Sequence, residues 1–317
     1  MRSPYSLTSG FMLYFFAPFR IFSLTKTAWQ LLFSATILLC LSACSPKHLI
    51  IQGIANELSD QGRTQEDDLV LAREASAFYL KLSEALLIEM PDNAKLSESV
   101  AVSFTQYAYA FVSFEAERIE NKDAKAAHAL RERAARLYLR ANRHAMAALE
   151  RLHPGFRKSL ESTQAADLPQ LESEYIGLAY WAAASWGGYI SLSKDSPDTV
   201  ADLPLAVRLA HLAYAKDPHF GNGSLASLMG TFETARAGGS SARALVYFDQ
   251  AIALGSALNA GSLVAKAEGV SLPNGNRPEF ESLLRQALAV SSTHPDMQNA
   301  VMRERALWLL SVADDLF

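Results

Sequence analysis

The chain has 317 residues, half of them hydrophobic and a fifth charged, the balance of a globular protein with a packed core and not of a disordered or fibrous one. A formal net charge of −4 argues against nucleic acid as a partner, because phosphates repel an acidic body. Its cysteines are two, Cys40 and Cys44, too few for a disulfide framework or a thiolate zinc site.

The first elements in chain order make up a leader. An apolar patch, FMLYFFAPF, occupies positions 11 to 19, and Met12 within it is a second candidate start. Lys26 then flanks the run AWQLLFSATILLCL at 28 to 41, which is short for a membrane span and has the length of a signal h-region. Leu41-Ser42-Ala43-Cys44 closes it: small residues admit an extended backbone to a peptidase, and the thiol accepts a thioether lipid. The expected organisation is therefore a lipoprotein signal peptide over 1–43 and a single helical-repeat domain over 44–317, with Cys44 lipidated. An uncleaved N-terminal anchor is the alternative. Losing the 43-residue leader removes Arg2, Arg20 and Lys26 and no acid, which leaves 274 residues with a formal charge of −7. Membrane attachment then falls to the acyl chains and not to a basic surface. Ser45, next to the cysteine, is compatible with an outer-membrane lipoprotein facing the periplasm of a Gram-negative host.

Beyond Lys47 apolar residues recur at three and four, without the alternation of strands, and the expected fold class is all-α. Helices are expected near 66–90, 93–120, 123–152, 170–193, 202–216, 223–237, 241–255, 278–291 and 297–316. Pro91, Pro154, Pro169, Pro197, Pro218, Gly238-Gly239, Pro273 and Pro295 punctuate them, since proline lacks an amide donor and glycine accepts a left-handed cap. Ala206, Ala210, Ala213 and Pro218 fit the second-helix spacing of a tetratricopeptide (TPR) repeat. Ala244, Phe248 and Ala251 repeat it 38 residues on, Ala141, Ala145, Ala148 and Pro154 show it upstream, and Leu82, Ala85 and Pro91 echo it faintly. An irregular TPR-like helical-repeat array, an α-solenoid, is the expected architecture.

Two helices carry candidate sites. On 123–152, Arg133, Arg136, Arg140 and Arg143, with Arg131 nearby, fall on one stripe that suits an acidic partner or an anionic solute. Pairing with acids such as Glu115 or Glu150 is the competing reading. On 170–193, Tyr175, Tyr180, Trp181, Trp186 and Tyr189 surround Gly187-Gly188 and are candidates for a pocket, the alternative being a core stripe. Phe104, Tyr107, Phe111 and Phe114 pose the same choice one helix earlier. His128, His144 and His153 lack metal-ligand spacing, Gly221-Asn222-Gly223 reads as a cap and turn, and the pairs Glu115/Glu117 and Asp314/Asp315 diverge around a helix as solvated faces. No nucleophile and base spacing points to an enzyme, and no cofactor or metal is implied. Ala306, Leu309, Leu310, Ala313 and Leu316 form a last apolar face, with Trp308 off it as a candidate contact to a neighbouring subunit.

The runs AYWAAASWGGYISLSKD (179–195), GGSSARALVYFDQAIALGS (238–256), PEFESLLRQALAV (278–290) and HPDMQNAVMRERALWLLSVADDLF (294–317), with Gly-Ser-Leu and Gly230 between the first two, resemble the TRAP-transporter-associated T-component (TatT) lipoproteins. That resemblance implies a lipid-anchored, periplasm-facing helical-repeat protein that forms a homotrimer and partners the solute-binding protein of a tripartite ATP-independent periplasmic (TRAP) transporter, without catalysis. A hydrophobic or organic-acid ligand is a further candidate. A repeat adaptor in outer-membrane or envelope biogenesis is the second functional reading.

Overall fold

The computed structural model describes residues 68–255 and 258–317, and Cys44 with the expected boundary at 43/44 lies outside them. Every regular element among the described residues is a helix. Asp68 opens α1 (Leu69–Glu89) by accepting hydrogen bonds from the Val70 and Leu71 amides. Asn93 does the same for α2 (Ala94–Tyr107), and Asp123 for the long α4 (Ala124–Leu152). These short polar side chains satisfy amides that the helix itself cannot. Between α2 and α3 (Phe114–Ile119) the chain stays helical through a π-helical turn, Ala108–Ser113.

The second half continues with α5 (Phe156–Glu161), α6 (Ile176–Ser191), α7 (Pro197–Ala201), α8 (Leu203–Lys216), α9 (Ser224–Ala235) and α10 (Ser241–Gly255). After these come α11 (Ala260–Lys266), prolonged by a second π-helical turn at Ala267–Ser271, then α12 (Arg277–Thr293), α13 (Met297–Ser311) and α14 (Ala313–Leu316). All nine expected helices are present. Sequence reading missed α5, α7 and α11: the first two are short, and Gly261 and Gly269 hide the periodicity of α11. Yet Ala260, Leu263, Val264 and Ala267 make α11 one of the more buried helices.

Helices adjacent in sequence pack on each other, α1 on α2, α2 on α4, α4 on α6, α6 on α8, and so on through α9 to α13. Small side chains set the approach. The alanines of three expected repeats, Ala141/Ala145/Ala148, Ala206/Ala210/Ala213 and Ala244/Ala251 around Phe248, are all buried. The fourth echo fails, because Ala85 is exposed and α1 buries Leu80, Ser83, Glu84 and Leu87 instead. The glycine pair of α6 serves the same close packing. A Cβ on Gly187 would stand 2.8 Å from the Phe232 ring, and one on Gly188 2.8 Å from the Tyr138 ring. At the α8–α9 turn, Gly221, Asn222 and Gly223 hold φ of 63°, 51° and 88°, a left-handed run that two glycines make affordable.

The last helix does not end the succession but returns it to the start. Helix α13 packs against α1 as well as against α11 and α12. Trp308 meets Phe114 of α3 edge to face at 5.6 Å, a contact with the chain's own first half. Within the terminal layer Asn299 is buried; it accepts from the Ala260 amide and donates to the Leu258 and His294 carbonyls, fixing α11 against α13. Ala306, Leu309 and Ala313 are buried as expected, Leu310 is half-buried, and Leu316 is exposed, while the Phe317 ring meets Phe280 at 5.3 Å. Leu309→Ala should cost about 2–4 kcal/mol in urea unfolding of the full chain, against less than about 0.5 kcal/mol for Leu316→Ala. The contrast follows from exposures of 2% and 39%.

Candidate functional site

The arginine stripe of α4 is at the surface: Arg133, Arg136, Arg140 and Arg143 are all exposed. Their partners are not the two acids expected from sequence. Glu150 accepts from the Gly155 and Arg157 amides, and Glu115 reaches Arg118. Arg131 pairs with Glu120, Arg136 approaches Glu132 at 3.8 Å, and Arg133 lies over the Tyr107 ring. Arg140 differs from the rest, since its guanidinium grips Glu84 of α1 and covers the Phe104 ring at 5.0 Å.

The five aromatic residues around α6 are not gathered on one cavity. Trp186 is buried in the core shared with α5, α8 and α9, with Arg157 over its ring at 5.6 Å. Tyr189 packs in the other core, with α1, α2 and α4. Tyr175 stands edge-on to His153, while Tyr180 and Trp181 meet edge to face at 4.9 Å and Tyr180 continues to Phe220. Burial pushes the Tyr180 hydroxyl up to about 12, with a Ser224 hydrogen bond opposing it. On the earlier helix Phe104, Tyr107, Phe111 and Phe114 are all buried, a core stripe carried across the π-helical turn.

Two polar clusters join segments distant in sequence, and both escaped the periodicity argument. The first is Glu84, only 5% exposed. Its carboxylate receives Lys81 at 2.6 Å, contacts His144 at 2.9 Å and pairs with Arg140. Burial alone would raise its pKa, but the hydrogen bonds from Arg140, Lys81 and His144 outweigh it and hold the carboxyl at about 2.

The second cluster is Arg305, 7% exposed. Its Nε and Nη2 donate to Glu268 at 2.8 and 2.7 Å, and Nη2 also donates to Glu117 at 2.9 Å. The rings of Tyr109, Phe114 and Trp308 lie 5.6, 5.3 and 5.9 Å from the guanidinium carbon, while Nη1 is buried without a hydrogen-bond acceptor. Arginine suits such a place, being planar, permanently charged and able to stack on aromatic faces. Tyr109 comes from the first π-helical turn and Glu268 from the second. Burial pushes the Tyr109 hydroxyl up to about 12 and raises Tyr138 as well. It also raises Glu117, an effect that Arg305 offsets only in part. Glu117 thus pairs with a distant cation that its spacing did not suggest, whereas Glu115 reaches only Arg118 in its own helix.

A sequence signal for Arg305 existed. It sits four residues after Val301 and four before Leu309, both buried, so a cation interrupts the apolar face. What such a cation pairs with is invisible in one dimension: Glu268 is 37 residues away and Glu117 188. The arrangement holds charge in place and presents no nucleophile with an adjacent base. Among the described residues no group of His, Cys, Asp or Glu is placed to hold a metal ion, and no helix is long and apolar enough to cross a membrane.

These geometries give two expectations. Glu84→Gln should cost about 1–3 kcal/mol of stability at pH 7 and lower the unfolding midpoint. Because the folded carboxyl titrates near 2 and its ordinary value is 4.5, the stabilisation is complete above pH 4.5 and fades as pH falls toward 2. The wild type and the variant should therefore converge in acid, which a pH series of thermal melts will show. Arg305→Met should cost about 1–3 kcal/mol by leaving two partly exposed carboxylates without their cation. Arg305→Lys should recover only part of this in the same urea titration, since an ammonium cannot grip Glu268 with two parallel hydrogen bonds.

Residues 65–317 match the model of the TRAP transporter T-component family. An uncharacterised protein of Treponema pallidum (strain Nichols) is 28% identical over 315 residues, spanning 89% of this chain and 95% of the relative. The family match covers the whole helical succession from α1 through the closing α13, including Glu84, Glu117, Glu268 and Arg305. The chain belongs to the TRAP transporter T-component family.

Proposed function

We propose that this accessory component of a TRAP transporter works as a lipid-anchored, periplasm-facing scaffold that holds the transporter's solute-binding protein. Cys44 is the anchored residue, residues 1–43 are the cleaved signal, the outer membrane is the site, and a homotrimer is the working assembly. The observation that carries the reading is the family match over 65–317, a family of transport accessories and not of enzymes. The exposed stripe on α4 is the docking face. Arg133, Arg136 and Arg143 present cations to solvent, where they steer an acidic partner into register. Arg140 belongs to the fold more than to the face, because it holds Glu84. A hydrophobic or organic-acid ligand is part of the reading.

A pull-down from detergent extracts tests this. The wild-type chain should recover a periplasmic solute-binding protein, and a variant carrying Arg133→Glu, Arg136→Glu and Arg143→Glu should recover about tenfold less while melting at the same temperature. Recovery of envelope-assembly components in its place would overturn the transport role in favour of an adaptor, and unchanged capture by the triple variant would remove the docking face. In the same cells labelled palmitate should mark the wild type and not Cys44→Ala; equal labelling would refute the anchor.

A further inference from the structure

Where the end of the chain meets its beginning, the helices leave a cleft of about 760 Å³ between the start of α1, the first π-helical turn with α3, and the α12–α13 corner. That lies within the roughly 300–1,000 Å³ of small-molecule sites. One wall is apolar, with Phe111, Phe114 and Val301. The lining also takes in arginines from three different helices, Arg73 of α1, Arg118 of α3 and Arg303 of α13.

The fold does not use these cations. Arg73 and Arg303 are exposed and form no ion pair with any described residue. Arg118 reaches Glu115 only at 3.7 Å, with both side chains substantially in water, a contact worth little. Of the acids in the lining, Asp68 caps α1 and Glu115 faces Arg118, so Glu304 stands against two uncommitted arginines. Elsewhere in the described fold arginine is neutralised closely, as Arg305 of α13 and Arg140 of α4 are. Cations left open beside the edge of an apolar wall complement a molecule that is anionic at one end and apolar along its length.

We propose that this cleft binds an alkyl carboxylate, its hydrocarbon body against Phe111, Phe114 and Val301 and its head among Arg73, Arg118 and Arg303. A singly charged head fits better than a phosphate, because Glu304 repels the second charge. The occupant bridges α1, α3 and α13 and so fastens the first helices to the last. Phe114 carries its presence inward, since the same ring faces Arg118 at 5.7 Å and Arg305 at 5.3 Å. The assignment rests on the transport reading for its biological setting and moves the ligand site from α6 to this seam; its chemistry stands on the cleft.

The probe is a diazirine-bearing decanoate, photolysed with the full chain held in amphipol, and the cross-linked peptides are mapped by mass spectrometry. Labels should concentrate in 110–118 and 300–304, and unlabelled decanoate should displace them while decyltrimethylammonium should not. The double variant Arg118→Gln/Arg303→Gln should lose labelling about tenfold, as loss of charge-assisted hydrogen bonds implies. Ala300→Phe, which fills the cleft and keeps its charges, should lose it as well. Absent or scattered labels on the wild type, equal displacement by the ammonium amphiphile, or undiminished labelling of both variants would overturn the assignment. Because the wild-type map decides the site by itself, a variant that folds poorly does not shield the proposal. Capture of the solute-binding protein is a separate measurement, so the two readings fail separately.

Discussion

A single cation between two carboxylates joins the ends of the described helical succession. Arg305 sits in α13, its bidentate partner Glu268 in the π-helical turn after α11, and its other partner Glu117 in α3. Burying a guanidinium is expensive unless its donors find acceptors, so its burial requires those three segments to be close together. The rings of Tyr109, Phe114 and Trp308 take the remaining faces, where dispersion and cation–π attraction stand in for water. A buried pair of this kind contributes little net stability over an apolar substitute, and its effect is to specify which helix closes against which. Closure also orders a long stretch of chain, an entropy cost that grows only slowly with loop length.

Glu84 does for α1 what Arg305 does for α13. The helix has a weak apolar face of its own, with Val70, Phe78 and Ile88 pointing to solvent, so packing alone holds it poorly. Arg140 and His144, from neighbouring turns of α4, converge on one carboxylate and supply the attachment that hydrophobic area does not. Both polar clusters therefore bind the terminal helices, while the middle of the chain, α4 to α10, relies on alanine and glycine letting helices approach closely. The division has a functional corollary. The cleft beside Phe114 lies at the seam between the ends.

For a transport accessory, these features separate the scaffold from its interaction surfaces. Arg140 is committed to Glu84, whereas Arg133, Arg136 and Arg143 on the same helix face solvent. One stripe of sequence thus serves cohesion at one turn and leaves charge available at the others. Trp308, off the terminal apolar face, is committed in the same way, to Phe114 within the chain.

Periodicity alone determined that the chain is all-α and where its longer helices run, because a three-and-four spacing of apolar residues and the Asp, Asn and Pro signals at helix starts are local properties. It also picked out the alanines at which helices meet, at 141–148, 206–213 and 244–251. The terminal motif around Arg305 and the runs near 179–195 and 238–256 were enough to suggest the family. Tertiary structure alone decided which charges are buried. It also decided partners: Glu115 and Glu117 are two residues apart and read alike, yet one reaches only Arg118 in its own helix and the other meets Arg305 across 188 residues. It likewise dispersed the α6 aromatics between two cores, since a helix packed on several sides sends each ring to whichever neighbour is nearest. Partner choice for a charge or a ring depends on distance in space, and helical spacing fixes only direction around one axis.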